Sequence, residues 1–184
     1  MGDWPILSRP RFDLETALSF AAVGYLLILL GSYLAKPPSL AQRRDWRAVL
    51  ATVVAIDALG LSTRQPITRP DALGLSLGLM LAGTLLAAWS ALTLGRSFSL
   101  LPQARRLITH GPYRYVRHPI YLGGLLITLG EVWLRFSPLV IVLNVVFVLA
   151  QIVRLRYEEA LLEETFPEYA DYRRRTSALI PGIA

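Results

Sequence analysis

The chain has 184 residues, of which 54% are hydrophobic and only 17% are charged, and its formal net charge is +6. The length is that of one domain, but the apolar share exceeds what a soluble domain of this size can bury, which predicts an integral membrane protein. With no cysteine and two histidines, the composition excludes a disulfide framework, a thiolate nucleophile and a cysteine-ligated metal, and we expect no metal site.

Apolar runs predict an all-α, polytopic membrane fold with about five transmembrane helices. A membrane-spanning helix needs about 20 apolar residues, a length that the first, third and fifth runs reach easily. The Ser137-Pro138 pair after the fourth run can start a new helix. The last two helices are therefore expected to form a hairpin that returns the chain to the side where the fourth helix begins. The predicted helices cover residues 14–35, 47–63, 72–95, 119–134 and 137–158.

The distribution of basic residues predicts the orientation. Segments 36–47 and 96–118, together with the tail from residue 154, contain 14 of the 19 Lys and Arg residues. The positive-inside rule then favours an external N-terminus and a cytoplasmic C-terminus. The Leu-, Ala- and Arg-rich composition indicates a prokaryotic inner membrane. Because the arginines are spread over separate loops, the net charge suits anionic lipid headgroups and not nucleic acid.

Several polar or small residues lie within the predicted spans. Asp57 is an intramembrane carboxylate, for which we expect an interhelical hydrogen bond or a water contact, while a functional role stays open. Glu131 and Arg135 have the spacing of a helical ion pair and are expected to form a local contact at the outer surface. Three small residues on the third helix recur every four positions and predict close helix packing; they are Gly74, Gly78 and Ala82.

Residues 111–123, GPYRYVRHPIYLG, concentrate polar and aromatic side chains between two apolar runs. His118 precedes Pro119, so it should lie at the cytoplasmic mouth of the fourth helix. Backbone N–H groups at such a helix start can bind an anion. The segment contains Tyr113, Tyr115 and Tyr121. These tyrosines could pack against a flat heteroaromatic ring or face a sulfonium cation. An aromatic belt at the membrane interface is an equal alternative.

A second polar cluster occurs where the fifth apolar run ends. Arg154 and Glu158 are four residues apart and share a helix face, with Glu159 beside them. An isolated pair of this kind is most often a surface salt bridge. The predicted hairpin brings it to the same membrane edge as His118, and such convergence is typical of a binding pocket.

The two segments LGRSFSLLPQARRLITHGPYRYVRHPIYLGG and RLRYEEALLEETFPEYADYRRRTSALIPG resemble the isoprenylcysteine carboxyl methyltransferase superfamily, which is related to the phospholipid N-methyltransferases. The resemblance covers roughly residues 90–182, about half of the chain. It rests on the paired motifs RHP-x-Y-x-G and R-x-x-x-E-E. These are followed by a trailing motif that comprises Phe166, Glu168, Tyr169, Tyr172 and the near-terminal Pro181.

The resemblance implies a small helical membrane enzyme that binds S-adenosylmethionine in a cytoplasmic C-terminal pocket and takes a lipophilic acceptor, an isoprenoid or lipid, from the bilayer. From the length we expect one membrane domain over 1–184, with N-terminal transmembrane helices in 1–95, which carry no motif of the family, and the methyltransferase-like core in 96–184. Arg154 and Glu158 would stand at the reacting centre. The residues that would bind the cofactor are Tyr113, Arg117, His118, Pro119, Tyr121 and Glu159, with His110 as a weaker candidate.

The residues leave the reaction partly open. A carboxylate acceptor is ionised near neutral pH and needs a cation such as Arg154, whereas an amine acceptor needs a base, for which Glu158 could serve. Membrane sterol reductases, which use NADPH, are also similar to the last helices, but their pattern has Asn where this chain has Ile120. A non-enzymatic scaffold is a further alternative, although it would not need Arg154, Glu158 and His118 together.

Overall fold

The computed structural model describes residues 41–42, 46–97, 103–104, 106–180 and 182. These residues are almost entirely helical, and the predicted first helix, 14–35, lies outside them. Short 3₁₀ turns lie between the longer elements at Pro70–Ala72, Gly95–Ser97 and Gly111–Arg114. The helices are α1 (Trp46–Thr63), α2 (Leu73–Leu94), α3 (Pro119–Leu134), α4 (Pro138–Thr165) and α5 (Tyr169–Arg175), and strand β1 (Ala41–Gln42) pairs antiparallel with β2 (Gln103–Ala104).

The helix ends follow local sequence signals. The first three described helices begin and end within one residue of the prediction. At the start of α4, the Ser137 hydroxyl accepts a hydrogen bond from a backbone N–H of the first turn at 3.2 Å, which is N-cap geometry. α4 continues to Thr165, well beyond the predicted end, because Arg, Glu and Leu are good helix formers. It ends at extended Phe166 because Pro167 follows, and a residue before proline disfavours helical geometry.

The helices pack in two pairs, α2 with α3 and α1 with α4. The core between α1 and α4 consists of small side chains around one ring, namely Ala51, Ala55, Ala58, Ala150 and Phe147. α3 and α4 are joined by a short turn, but they contact each other much less than they contact their partners. The expected hairpin packing of the last two long helices is therefore not confirmed, since each packs chiefly on a helix earlier in the chain.

Glycines bring the backbones of α2 and α3 together. A Cβ atom added to Gly83 would lie 2.5 Å from the carbonyl oxygen of Gly123, and one added to Gly123 would lie 2.6 Å from the carbonyl oxygen of Gly83. Further along the same pair, a Cβ on Gly130 would lie 2.8 Å from the Ser76 carbonyl oxygen. Such close approach is the usual function of small residues between membrane helices.

The predicted packing stripe on α2 faces elsewhere. Gly74, Gly78 and Ala82 are exposed, and apart from the adjoining backbone of α2 itself no described atom lies within 4 Å of a Cβ built on Gly74 or Gly78. The expectation of close packing at these three residues is thus not confirmed among the residues that the structure describes. Spacing identifies small residues on one helix face, but which face meets a neighbour depends on the partner helix.

We expect Gly83→Ala to destabilise the protein by about 2 kcal/mol, because overpacking a tight helix contact forces backbone displacement. Gly78→Ala on the same helix is the matched control and should be neutral or slightly stabilising, because alanine is the better helix former. Thermal unfolding of both variants in detergent measures the difference. Equal stability of the two variants would contradict the α2/α3 contact.

Three of the described helices are long and apolar enough to cross a membrane, namely α1, α2 with its preceding turn, and α4, while α3 is apolar but shorter. Large apolar side chains cover their outer faces; Leu92 is 75% exposed and Leu149 is 57% exposed. The chain is therefore an integral membrane protein, although five spans are not confirmed. Asp57 is exposed on α1 and forms no hydrogen bond or ion pair with another described residue, so its expected interhelical contact stays a prediction.

The expected ion pair at the end of α3 is present, but it is buried. Glu131 and Arg135 are 1% and 7% exposed, and Arg135 Nε lies 3.3 Å from a carboxylate oxygen of Glu131. Arg135 also donates to the Gln65 carbonyl oxygen. Beside it, Asn144 Nδ2 donates to Ser62 Oγ at 2.9 Å. These contacts tie α3 to the end of α1 and α1 to α4, opposite the end where α3 begins.

Candidate functional site

The candidate site lies where the start of α3 meets the last turns of α4. α3 begins at Pro119, as predicted, and His118 is the residue before the helix, with φ −127° and ψ 61°. The preceding turn packs against the end of α2. Its Gly111 has φ 62°, and a Cβ there would lie 3.1 Å from Thr93 side-chain atoms, so the position favours glycine in both conformation and space. This contact fixes the aromatic segment on α2.

Glu159 is the centre of a largely buried hydrogen-bond network, although its own side chain is 15% exposed. Its Oε1 accepts from Arg117 Nε at 2.9 Å, and Arg117 Nη2 lies 2.8 Å from the same oxygen. His118 Nε2 lies 3.1 Å away and the Tyr169 hydroxyl donates at 3.2 Å. A buried charge is tolerated when it is paired and hydrogen-bonded, as here. One carboxylate thus connects the start of α3, the end of α4 and α5.

The C-terminal segment occupies the backbone donors before α3. Arg117 N donates to the Ser177 carbonyl oxygen at 2.8 Å, and His118 N donates to the Ala178 carbonyl oxygen at 3.0 Å. The Arg117 guanidinium also donates to the Thr176 carbonyl oxygen. These two N–H groups are therefore used within the protein, and anion binding by the N–H groups of the first turn of α3 stays a prediction. A short parallel strand contact uses the N–H groups of Arg117 and His118, a long-range pairing that local sequence does not predict.

A second group of contacts joins α3 to α4 one turn deeper. The Tyr121 hydroxyl donates to Glu158 Oε2 at 2.8 Å, and the Arg154 guanidinium lies over the Tyr121 ring, 5.5 Å from its centroid. Arg154 Nη1 donates to Gln151 Oε1 at 2.7 Å. His118 meets the Tyr121 ring edge-on at 5.5 Å, which connects this group to the Glu159 network.

Buried tyrosines support both groups. The Tyr172 hydroxyl donates to the Tyr113 carbonyl oxygen at 2.6 Å, and burial raises the pKa of Tyr172 to about 12. Burial, followed by the nearby Glu159 carboxylate, raises the pKa of Tyr169 well above its usual value. Burial and then Glu158 raise the pKa of Tyr113 in the same direction. All three phenols therefore stay protonated near neutral pH, and the hydroxyls of Tyr169 and Tyr172 donate hydrogen bonds.

Most of the residues expected at the site meet in the structure. Tyr113 and Pro119 are buried beside the cluster. His110 is exposed at the start of the Gly111–Arg114 turn and forms no hydrogen bond or ion pair with another described residue. The structure brings together Arg117, His118, Tyr121, Arg154, Glu158 and Glu159.

Several groups that form the site were not identified from the sequence. Gln151 could have been predicted as a site residue, because it is a polar residue in an apolar run and lies three residues before Arg154 on the same helix face. Tyr169 and Tyr172 belong to the trailing motif, but their bonds to Glu159 and Tyr113 could not be assigned without the fold. The carbonyl oxygens of residues 176–178 carry no side-chain signal at all.

Comparison with known proteins places this geometry in a family. Residues 72–169, more than half of the chain, match the phospholipid methyltransferase family. The chain belongs to this family. The match includes the paired motifs RHP-x-Y-x-G and R-x-x-x-E-E, and together with the relatives it confirms the resemblance to the isoprenylcysteine carboxyl methyltransferase superfamily.

Relatives of this family member include metal-resistance proteins and isoprenylcysteine methyltransferases. The cobalt-zinc-cadmium resistance protein CzcN of Cupriavidus metallidurans is 37% identical over 144 residues, which cover 76% of this chain and 63% of the relative. Protein-S-isoprenylcysteine O-methyltransferase B of Arabidopsis thaliana is 31% identical over 114 residues, which cover 58% of each chain. The chain thus spans less than two thirds of the length of either relative.

A solved structure shares the fold of this family member. The eukaryotic intramembrane Ras methyltransferase ICMT aligns with a TM-score of 0.57 and 22% sequence identity, over 90% of this chain and 64% of that chain. This likeness shows the fold alone.

The described residues contain no group of three or more His, Cys, Asp or Glu side chains that could hold a metal ion.

Proposed function

We propose that this chain is a membrane methyltransferase that transfers a methyl group from S-adenosylmethionine to a lipophilic acceptor, with carboxyl O-methylation of an isoprenylcysteine-like molecule as the reaction. The observation that carries the proposal is the meeting of the two motif segments. Tyr121 from the first segment donates to Glu158 of the second at 2.8 Å and lies beneath Arg154. Family membership supports the same chemistry.

On the acceptor side, Arg154 orients the carboxylate. Its planar guanidinium can grip both oxygens of a carboxylate in parallel, which a lysine ammonium cannot do. The acceptor carboxylate is already ionised near neutral pH, so no base is required. The apolar faces of α3 and α4 suit a lipid chain that arrives from the bilayer.

The residues on the cofactor side fit S-adenosylmethionine. The Tyr121 ring and the Glu158 carboxylate offer a π face and a negative charge to a sulfonium or ammonium cation. We assign cofactor contacts to the segment before α3 and to the first turn of the helix, and we assign to Glu159 the role of holding that segment through Arg117 and His118. The proposed cofactor-site residues are His110, Tyr113, Arg117, His118, Pro119, Tyr121 and Glu159.

Methyl transfer needs little from the protein beyond alignment. The bound cofactor supplies an electrophilic methyl group on a cationic sulfur. Arg154 would hold the acceptor with one carboxylate oxygen facing that methyl group. Because the acceptor is already an anion, no protein group would have to remove a proton. Alignment at about 3 to 3.5 Å then supplies much of the rate advantage.

Two other reactions remain as alternatives with distinct outcomes. An amine acceptor, as in a phospholipid N-methyltransferase, would use Glu158 as the base that removes the ammonium proton. A sterol-reductase-like enzyme would bind NADPH and transfer hydride. We propose that the site faces the cytoplasm, where either soluble cofactor is available, as the excess of arginines at this end of the described helices supports.

We predict that the purified protein binds S-adenosylmethionine and S-adenosylhomocysteine. Calorimetry in nanodiscs measures binding, and transfer of labelled methyl groups to N-acetyl-S-farnesylcysteine, oleate and phosphatidylethanolamine measures activity. NADPH is the control ligand and should not bind. Binding of NADPH with no response to either sulfur compound would overturn the assignment, and turnover of phosphatidylethanolamine alone would favour the amine reaction.

Metal resistance is a second candidate role, favoured by the 37% identity with CzcN over 76% of this chain. We propose that any such role acts through methyl transfer and not through ion binding, given the absence of a metal-ligand cluster among the described residues. Growth of cells that express the protein on cobalt, zinc or cadmium tests this, with Arg154→Ala as the comparison. Resistance that survives this substitution would show a role independent of methyl transfer.

A further inference from the structure

Gln151 is an unexpected polar residue in α4. From Val145 to Val153 it is the one residue with a polar side chain, and the neighbouring residues are aliphatic or aromatic. An amide in such a segment costs free energy unless its groups form hydrogen bonds. It lies three residues before Arg154 and seven before Glu158, so the three side chains share one face of the helix.

The amide oxygen of Gln151 holds the Arg154 guanidinium. Gln151 Oε1 accepts from Arg154 Nη1 at 2.7 Å, while the Tyr121 ring of α3 lies 5.5 Å from the guanidinium carbon. One contact comes from the helix of the arginine itself and the other from the neighbouring helix. Together they restrict both the position and the plane of the guanidinium, which a bidentate grip on a carboxylate requires.

The orientation of the amide follows from the chemistry of its partner. A guanidinium has donors and no acceptor, so the oxygen of Gln151 must face Arg154 and the NH₂ group must point away. Nε2 lies 3.6 Å from the position that a Cβ on Gly124 would take, which places it at the boundary between α3 and α4. Among the described residues, none accepts a hydrogen bond from it.

We infer that Gln151 is a positioning and specificity residue for the acceptor: its oxygen fixes Arg154, and its NH₂ group donates a hydrogen bond to an acceptor oxygen. The inference rests on the proposed methyltransferase function. An acceptor that carries a carboxylate satisfies Arg154 and the amide donor together. A reacting ammonium group accepts a hydrogen bond from neither of them, so the pair disfavours an ammonium group at the position that a carboxylate would take.

The test compares two substitutions of Gln151 with a control. Gln151→Met keeps the length of the side chain and removes both polar groups, whereas Gln151→Glu keeps an oxygen that faces Arg154 but adds a charge that repels a carboxylate. With N-acetyl-S-farnesylcysteine as acceptor, kcat/KM should fall about tenfold in the Met variant and further in the Glu variant. Ile152→Met, at a 40% exposed position on α4, should leave it unchanged.

Readouts that a purely structural role would not produce accompany these rates. Affinity for S-adenosylhomocysteine should stay within about twofold of wild type in every variant. With phosphatidylethanolamine, any residual rate should not fall further in Gln151→Glu than in Gln151→Met. In the Arg154→Ala background, Gln151→Met should cause little additional loss, because the two residues act as one unit.

Several results would overturn the inference while leaving the methyltransferase proposal standing. For the variants, these results are wild-type methylation rates in both Gln151 variants, losses of rate that add to the loss caused by Arg154→Ala, or a loss of cofactor affinity as large as the loss of rate. For the wild-type protein, the result is methylation of phosphatidylethanolamine with neither binding nor methylation of N-acetyl-S-farnesylcysteine. A wild-type protein that binds neither S-adenosylmethionine nor S-adenosylhomocysteine overturns the function and the inference together, and this measurement precedes the variants.

Discussion

Arg154→Ala is expected to reduce methyl transfer at least about tenfold, equivalent to about 1.4 kcal/mol of transition-state stabilisation, while affinity for S-adenosylhomocysteine is retained. The substitution removes the cation proposed to orient the acceptor but leaves the Tyr121–Glu158 hydrogen bond in place. Arg154→Lys should be almost as impaired, because lysine keeps the charge and loses the planar fork. Single-turnover kinetics in nanodiscs, with cofactor binding measured in parallel, separates the two effects.

Arg156→Ala is the matched control for the Arg154 variants. Arg156 lies on the same helix two residues later and is exposed, so its substitution should leave both turnover and cofactor binding at wild-type values. Thermal unfolding of all three variants completes the comparison. If the Arg154 variants unfold in detergent while activity per folded molecule is unchanged, the arginine is a structural residue and the acceptor binds elsewhere.

Glu159→Gln is expected to destabilise the protein by about 3 kcal/mol and to abolish measurable cofactor binding. One oxygen of this carboxylate serves Arg117, His118 and Tyr169. The Arg117 side chain is 9% exposed, so loss of the carboxylate leaves a buried charge without its counter-ion, and breaking a buried pair costs about 3 to 5 kcal/mol. The Arg117 guanidinium would keep its hydrogen bonds to the backbone carbonyl oxygens of Arg173 and Thr176, so we expect a loss of stability at the lower end of this range.

Glu163→Gln provides the control for that experiment. Glu163 pairs with Arg173, and the two side chains are 44% and 49% exposed, so the pair is screened by solvent. Its removal should change stability by no more than about 0.5 kcal/mol. Chemical unfolding of both variants in detergent, with calorimetry for S-adenosylhomocysteine, gives the comparison. Equal stability of the two variants would show that the Glu159 network does not hold the segment before α3.

The sequence determined the local features of this protein. The prolines and the serine cap at the starts of α3 and α4 act within one helical turn, so Pro119 and Ser137 predicted those starts closely. The length and apolar character of the runs predicted membrane helices. The expected hairpin predicted that Arg154 and Glu158 would lie near His118, and the motif residues were sufficient to recognise the family, which the match over residues 72–169 confirms.

The tertiary structure decided which groups meet. Gly83 and Gly123 select α2 as the partner of α3, although a hairpin with α4 was the simpler expectation, because backbone contact depends on two facing surfaces and not on the spacing within one helix. Likewise, the backbone N–H groups of Arg117 and His118 donate hydrogen bonds to the carbonyl oxygens of residues 177 and 178, about 60 positions away in the chain. Sequence patterns report local propensity and burial, whereas long-range hydrogen-bond partners exist only once the chain has folded.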